Sequence, residues 1–188
     1  MRLYPGVYDT LQFLKNQRCV LIGYTESMGF YSNYRLRKLG LDELLDFVYS
    51  PPDHALPASA QSVRLELYTN HEERLKHTRL KHTPEGELKP NPGILKQIVS
   101  DLHASTSECI YVGDSLMKDI AMAQQACIDN AWAKYGAAQD RPEYELLRKV
   151  THWPSSAVET ERGLSQDDVA PTKILEKNFG ELLSLFNF

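Results

Sequence analysis

Asp114 and Asp119 are the residues best placed, by type and spacing, to do chemistry in this chain. They follow Cys109-Ile110-Tyr111-Val112, a short apolar run that predicts a buried strand. Gly113 is expected to end the run in a sharp turn, leaving Asp114 at the strand's carboxyl end. Ligands of open α/β sheets bind outside the carboxyl ends of the strands, and a carboxylate there is a hard oxygen ligand suited to Mg²⁺. Ser115 is the expected N-cap of the next helix, where Leu116, Ile120 and Ala123 recur at helical spacing and Asp119 lies inside. Taken singly, Asp114 also reads as a turn residue and Asp119 as a solvated helix residue.

Two more candidates stand where strands or loops end. The apolar stretch Arg18 to Tyr24 predicts a strand that runs into Thr25-Glu26-Ser27. A hydroxyl at that point, with the N–H groups of a new helix behind it, makes a small anion site; the plainer alternative is a helix cap. Lys89 precedes Pro90-Asn91-Pro92, whose prolines constrain the backbone around Asn91 and restrict Lys89 itself. A lysine fixed ahead of a helix can project its charge into a cleft; the alternative is an ordinary exposed lysine.

The elements that must position these side chains alternate. Helices are expected over about Tyr8 to Asn16, with Val7, Leu11 and Leu14 inward, and over Phe30 to Leu39 with Gly40 as C-cap. Phe47-Val48-Tyr49 predicts a strand, and about Gly93 to Leu102 a helix. Asn130 to Gly136 predicts a strand, Arg141 to Arg148 a helix, Val150 to Trp153 a short edge strand, and Thr172 to Leu185 a final helix. Between Asp53 and Glu87 lies an excursion in which Val63, Leu65 and Leu67 alternate with polar residues as in a half-buried strand, with a helix through Glu72–Lys76 as the alternative. Its basic segment from Arg74 reads as a solvated face, with the alternative that it reaches over a pocket to an anionic substrate. His71, His77 and His82 have no metal-type spacing and read as solvated. Strands alternating with helices imply βαβ units and a parallel sheet.

A chain of 188 residues is long enough for one domain with a real core. A net charge of −4 argues against a general nucleic-acid binder. No apolar run reaches membrane-spanning length, and the N-terminus has no signal pattern. Cys19, Cys109 and Cys127 are an odd number without metal spacing, so free, reduced and mostly buried thiols in the cytoplasm are expected.

Thr25, Lys89 and Gly113-Asp114-Ser115 with Asp119, in that order, resemble the haloacid dehalogenase-like hydrolase superfamily, mostly Mg²⁺-dependent phosphatases. The match to its second motif is the strand ending in Thr25, to its third Lys89-Pro90-Asn91-Pro92, and to its fourth Gly113-Asp114-Ser115 with Asp119. Tyr4-Pro5-Gly6-Val7 and Trp132-Ala133-Lys134-Tyr135-Gly136 resemble flanking segments of the same family. The resemblance implies a single core domain over 1–188 with an insertion at about 53–87. It also implies an α/β three-layer, Rossmann-like parallel sheet with helices on both faces. Thr25, with Glu26, would bind the phosphoryl oxygens, and Lys89 would supply positive charge to the phosphate and to a carboxylate nucleophile. Asp114 would hold Mg²⁺, and Asp119 would orient the fourth-motif loop or assist the metal through water. The expected substrate is a small phosphorylated metabolite.

The family's first motif, Asp-x-Asp-x-Thr/Val after an apolar strand, supplies the nucleophile and the general acid/base, and it is not among these residues. Asp167-Asp168-Val169 lies in a polar loop and is no substitute. In the family that strand is central, between those ending at Thr25 and Asp114, so its loss would open a gap of roughly 10 Å. The readings left open are a truncated phosphatase inactive as it stands, a sheet that has closed up, a partner or upstream segment filling the slot, and a non-catalytic phosphate-binding or protein-interaction module. A response-regulator receiver is weaker, for want of an acidic pair near the N-terminus.

Overall fold

Six short strands, all paired in parallel, carry the architecture of the computed structural model, which describes residues 1–54, 74–137, 143, 146, 149, 159 and 169–188. They form two three-stranded sheets, β1-β2-β3 and β4-β5-β6. The chain divides into two compact units, Met1–Leu88 with the terminal Phe188, and Lys89–Asn187.

In the first unit, helix α1 (Val7–Asn16) precedes β1 (Ile22–Tyr24), α2 (Gly29–Lys38), β2 (Phe47–Ser50) and β3 (Arg79–His82). Strand β1 is shorter than the apolar run suggested. Arg18 takes a left-handed φ of 65°, and the Cys19 N–H closes back on the Leu14 carbonyl at 3.0 Å. Those residues therefore end the helix rather than begin the strand. Gly40, at φ 69°, follows α2 as expected. Strand β2 is the middle strand and the best buried, with Val48, Tyr49 and Ser50 inside beside Leu44, Leu45 and Leu14.

The basic segment departs in part from expectation. Arg79–His82 keeps its charged side chains on a solvated face, as expected, but is also a strand in register with β2, from Phe47↔Arg79 to Ser50↔His82. Asp42 explains why it docks. Its carboxylate accepts the backbone N–H groups of Lys76 at 2.7 Å, His77 at 3.2 Å and Thr78 at 2.9 Å. The Thr78 hydroxyl donates to the carbonyls of Asp42 and Leu45. The bases stay outside: Lys81 Nζ lies 4.9 Å from the Phe47 ring centroid and donates to the Tyr49 hydroxyl at 3.0 Å.

In the second unit, α3 (Pro92–Asp101) starts with Pro92 at its first turn and the Asn91 side chain capping the Ile94 N–H at 3.1 Å. Strand β4 (Ile110–Gly113) leads into a π-helical turn, Leu116–Ile120, continued by α4 (Ala121–Gln125). Strand β5 (Asp129–Trp132) follows. Leu116, Ile120, Trp132 and Val169 form its apolar centre.

The final segment is a second departure. Thr172 to Leu185 is not one helix: Lys173–Ile174 forms β6 beside β5, and only Leu182–Leu185 is α-helical, as α5. The Leu175 N–H donates to the Trp132 carbonyl at 2.9 Å, and the Glu181 carboxylate accepts the N–H groups of Glu176 and Lys177. Pairing with a buried strand overrides the helical period here. The thiols are a third departure, since Cys127 is exposed and Cys19 and Cys109 are half-buried. The alternation at Val63 to Leu67, His71, the strand at Val150 to Trp153, Asp167-Asp168 and most of the helix from Arg141 lie outside the described residues.

Candidate active site

Strand alternation puts Tyr111 and Gly113 on the same face of β4, and Asp119 comes back over that face from the turn that follows. The reason Gly113 must be glycine is here, and it is not the expected sharp turn, since its φ is not positive. A Cβ on Gly113 would lie 2.2 Å from the Cβ of Asp119. Absence of a side chain lets the aspartate lie directly on the strand.

So placed, Asp119 is buried and is the hub of the site. Its Oδ1 accepts from Lys89 Nζ at 3.0 Å and from the Tyr111 hydroxyl at 3.0 Å. Lys89 Nζ also donates to the Tyr111 hydroxyl at 2.8 Å, closing a triangle. The other carboxylate oxygen, Oδ2, accepts the Ser115 N–H at 3.1 Å, and the Asp119 N–H returns to the Ser115 carbonyl at 3.0 Å. The Ser115 hydroxyl caps the Lys118 N–H at 3.1 Å, as its type predicted. The side chains of Lys89 and Asp119 are 11% and 8% exposed, so this ion pair is largely desolvated and held by its hydrogen bonds. The Lys89–Pro90 peptide bond is cis.

Asp114 stands outside that network. Its side chain reaches solvent, yet protein packed around it strips part of its hydration. That burial, with the Asp119 charge, raises its carboxyl above the ordinary 3.8, against the pull of its own backbone N–H and of Lys89. Its backbone is fixed from behind: the Trp132 indole N–H donates to the Asp114 carbonyl at 3.0 Å, and the Ala133 N–H to the Gly113 carbonyl at 2.8 Å. Lys89, Asp114 and Asp119, three of the residues singled out in the sequence, are thus brought within electrostatic reach of one another.

Thr25 and Glu26 belong to the first unit. The Thr25 N–H extends the β1–β2 ladder to the Tyr49 carbonyl at 3.0 Å, and its Oγ1 accepts the Ser27 N–H at 3.1 Å. That is the behaviour of a hydroxyl shaping a turn, with α2 starting just beyond. The α2 N-terminus is itself capped from a distance, the Phe30 N–H donating to Asp53 Oδ1 at 2.9 Å.

Among the described residues no three His, Cys, Asp or Glu side chains gather into a ready-made metal cluster. The donors suit Mg²⁺ all the same. It keeps several waters and takes one or two protein carboxylates, and Asp114 is a carboxylate outside the ion-pair network at a strand end. The arrangement offers a fixed cation, Lys89, and a carboxylate that favours a positive neighbour, Asp114. Sequence reasoning missed Tyr111, Trp132 and Asp53. A tyrosine amid apolar strand residues, two positions before Gly113, was the signal for the first; capping of α2 by Asp53 carried none, being 23 residues distant.

The family described as haloacid dehalogenase-like hydrolase matches residues 1–126. No curated protein matches the chain. A protein from Listeria monocytogenes serotype 4b shares the fold at TM-score 0.54 and 18% identity, over 97% of this chain and 80% of that one. A predicted phosphoglycolate phosphatase from Haemophilus somnus 129PT is similar at TM-score 0.47 and 18% identity, over 98% of this chain and 57% of that one. A 2-haloacid dehalogenase from Pseudomonas syringae pv. tomato DC3000 is similar at TM-score 0.38 and 15% identity, over 77% of this chain and 47% of that one. The chain therefore spans little more than half the length of the second structure and less than half of the third.

Proposed function

We propose that this chain, which belongs to the haloacid dehalogenase-like hydrolase family, is the phosphate-handling part of a Mg²⁺-dependent phosphomonoester hydrolase whose nucleophile comes from outside these residues. The observation that carries the reading is the Lys89–Asp119 pair set against β4 beside Asp114. Phosphoryl transfer needs charge neutralisation around the transferring group more than it needs covalent help from many residues.

In this reading Lys89 places its ammonium against the phosphate. The turn of Thr25 and Glu26 in the first unit is assigned to phosphoryl oxygens on the motif match alone. Asp114 holds Mg²⁺, and Asp119 orients the turn by accepting the Ser115 N–H. When bound, Mg²⁺ supplies Lewis-acid charge neutralisation at the phosphate. Asp114 alone makes a weak site for it, because a hard dication wants several oxygens. None of Thr25, Lys89, Asp114 and Asp119 is a nucleophile with its own base. The substrate class is a small phosphorylated metabolite, and cytoplasmic residence accords with three free cysteines.

The missing group arrives on a strand, supplied by a partner or by an upstream segment. Strands β1 and β4 are each the outermost strand of their own sheet and only half-buried along their length, whereas the inner strands β2 and β5 are mostly buried. Open edges of that kind accept an added strand through backbone hydrogen bonds.

The test compares two proteins on p-nitrophenyl phosphate with Mg²⁺: the 188-residue chain, and the same chain preceded by a strand carrying Asp-x-Asp-x-Thr. The first is expected to show no turnover above background, since acid–base help alone is worth about 10²–10⁴-fold. The second is expected to gain turnover that Asp114→Asn removes. Robust Asp114-dependent turnover by the short chain would show a nucleophile within it. Failure of the strand to restore turnover would favour a non-catalytic phosphate-binding or interaction module.

A further inference from the structure

We propose that Tyr111 is a positioning residue that aims the Lys89 ammonium, a role distinct from its packing in β4. The inference deepens the phosphate reading of Lys89 and rests on it only for what the ammonium is aimed at.

Proton accounting fixes the arrangement. The phenol has one proton and a lone pair. Asp119 Oδ1 is a carboxylate oxygen and can only accept, so the hydroxyl proton goes to it across 3.0 Å. The hydroxyl oxygen then accepts from Lys89 Nζ at 2.8 Å, and Lys89 gives a second N–H to Asp119 Oδ1 at 3.0 Å. An ammonium has three N–H groups in tetrahedral geometry. With two assigned to acceptors on the same side, rotation about Cε–Nζ is arrested and the third has one direction.

A lysine paired with a carboxylate alone would not be so constrained. Lysine is a point charge on a flexible four-carbon stem, and Asp119 offers two oxygens between which it could swing. The Ser115 N–H takes Oδ2, and the Tyr111 hydroxyl holds the ammonium to the Oδ1 side. Tyr111 itself is held rigidly by the strand, being paired in register with Asn130 of β5. The position two residues before Gly113 on the same face is one from which a ring can reach across Asp119 to Lys89. A phenylalanine there would supply the same apolar surface, so packing alone does not call for the hydroxyl.

The experiment uses the full chain and Tyr111→Phe, which keeps the ring. The first readout is the rate at which an amine-acylating reagent modifies Lys89, followed by peptide mass spectrometry, with Lys134, the exposed partner of Glu176, as internal reference. The expected result is about tenfold faster modification of Lys89 in the variant, with Lys134 unchanged. The second readout is inorganic phosphate binding by calorimetry, with Lys89→Met as control. Phosphate is expected to bind the wild type and to weaken about tenfold in Tyr111→Phe.

Unchanged Lys89 modification in Tyr111→Phe overturns the proposal. Loss of cooperative unfolding in the variant overturns it too, because the hydroxyl would then be holding the fold. If Lys89 modification rises but phosphate binds neither protein, or binds Lys89→Met as well as wild type, the positioning role stands and the phosphate reading fails.

Discussion

Gly113 and Asp114, adjacent in the chain, are constrained by opposite physics. Gly113 is constrained by contact. Its missing side chain is the space that Asp119 fills, and a methyl group 2.2 Å from the Asp119 Cβ forces the aspartate off the strand. Gly113→Ala is therefore expected to lower stability by about 3 kcal/mol in urea unfolding, and to loosen the Lys89–Asp119 pair with it. Asp114 is constrained by charge. Burial and the nearby Asp119 raise its carboxyl above 3.8, so the folded chain keeps a proton that the unfolded chain has released. Stability then falls as pH rises from 3.8 through the folded-state value, and stays lower above it. Asp114→Asn removes that cost. Its melting temperature should exceed wild type at neutral pH and converge with it below pH 3.8. Added Mg²⁺ should raise the melting temperature of wild type slightly and leave Asp114→Asn unmoved.

At the scale of elements, the two units start their elements by different devices. In the second, Ser115 and Asp119 lock the turn after β4 by reciprocal bonds, and Asn91 starts α3 from the adjoining residue. In the first, Asp42 captures β3 from more than 30 residues away through three backbone N–H groups. Burial pushes the Asp42 carboxyl up, but the N–H groups of Lys76, Thr78 and His77 outweigh it and hold the carboxyl below 3.8. A lowered carboxyl contributes stability above 3.8 that is lost as pH falls through the folded-state value. Asp42→Ala is expected to cost about 2 kcal/mol at neutral pH and progressively less in acid. The amides of Lys76 to Thr78 should exchange with deuterium faster in the variant, while those of α3 keep their wild-type rates.

For the molecule as a whole, what matters is that each unit carries its own three-stranded sheet with an apolar strand outermost. Among the described residues, strands β1 and β4 have a hydrogen-bonded neighbour strand on one side, whereas β2 and β5 have one on each side. Amide exchange in the isolated chain should follow that order, with alternate amides of β1 and β4 exchanging well before those of β2 and β5. Supplying a complementary strand should slow exchange at Ile22–Tyr24 or at Ile110–Gly113 and raise the melting temperature. Protection confined to α1 or α5 would mean that the added strand docks elsewhere. No described helix is long and apolar enough to cross a membrane.

The sequence by itself determined the family and the parallel α/β class, and it singled out Thr25, Lys89, Asp114 and Asp119 as candidates, because these depend on local signals: an apolar run, a cap, a proline-fenced lysine. It also determined the starts of α3 and of the turn after Gly113, where Asn91 and Ser115 cap the residues three positions ahead. Tertiary structure decided the rest. Arg79–His82 became a strand because Asp42 and β2 supplied acceptors and pairing that no neighbouring residue reveals. Lys173–Ile174 left its helical pattern because β5 offered an open edge. Tyr111, apolar by neighbourhood, became part of the site because Lys89 and Asp119 converge on its hydroxyl from 22 and 8 residues away. Periodicity records which face of an element is buried; it does not record which distant polar group meets that face.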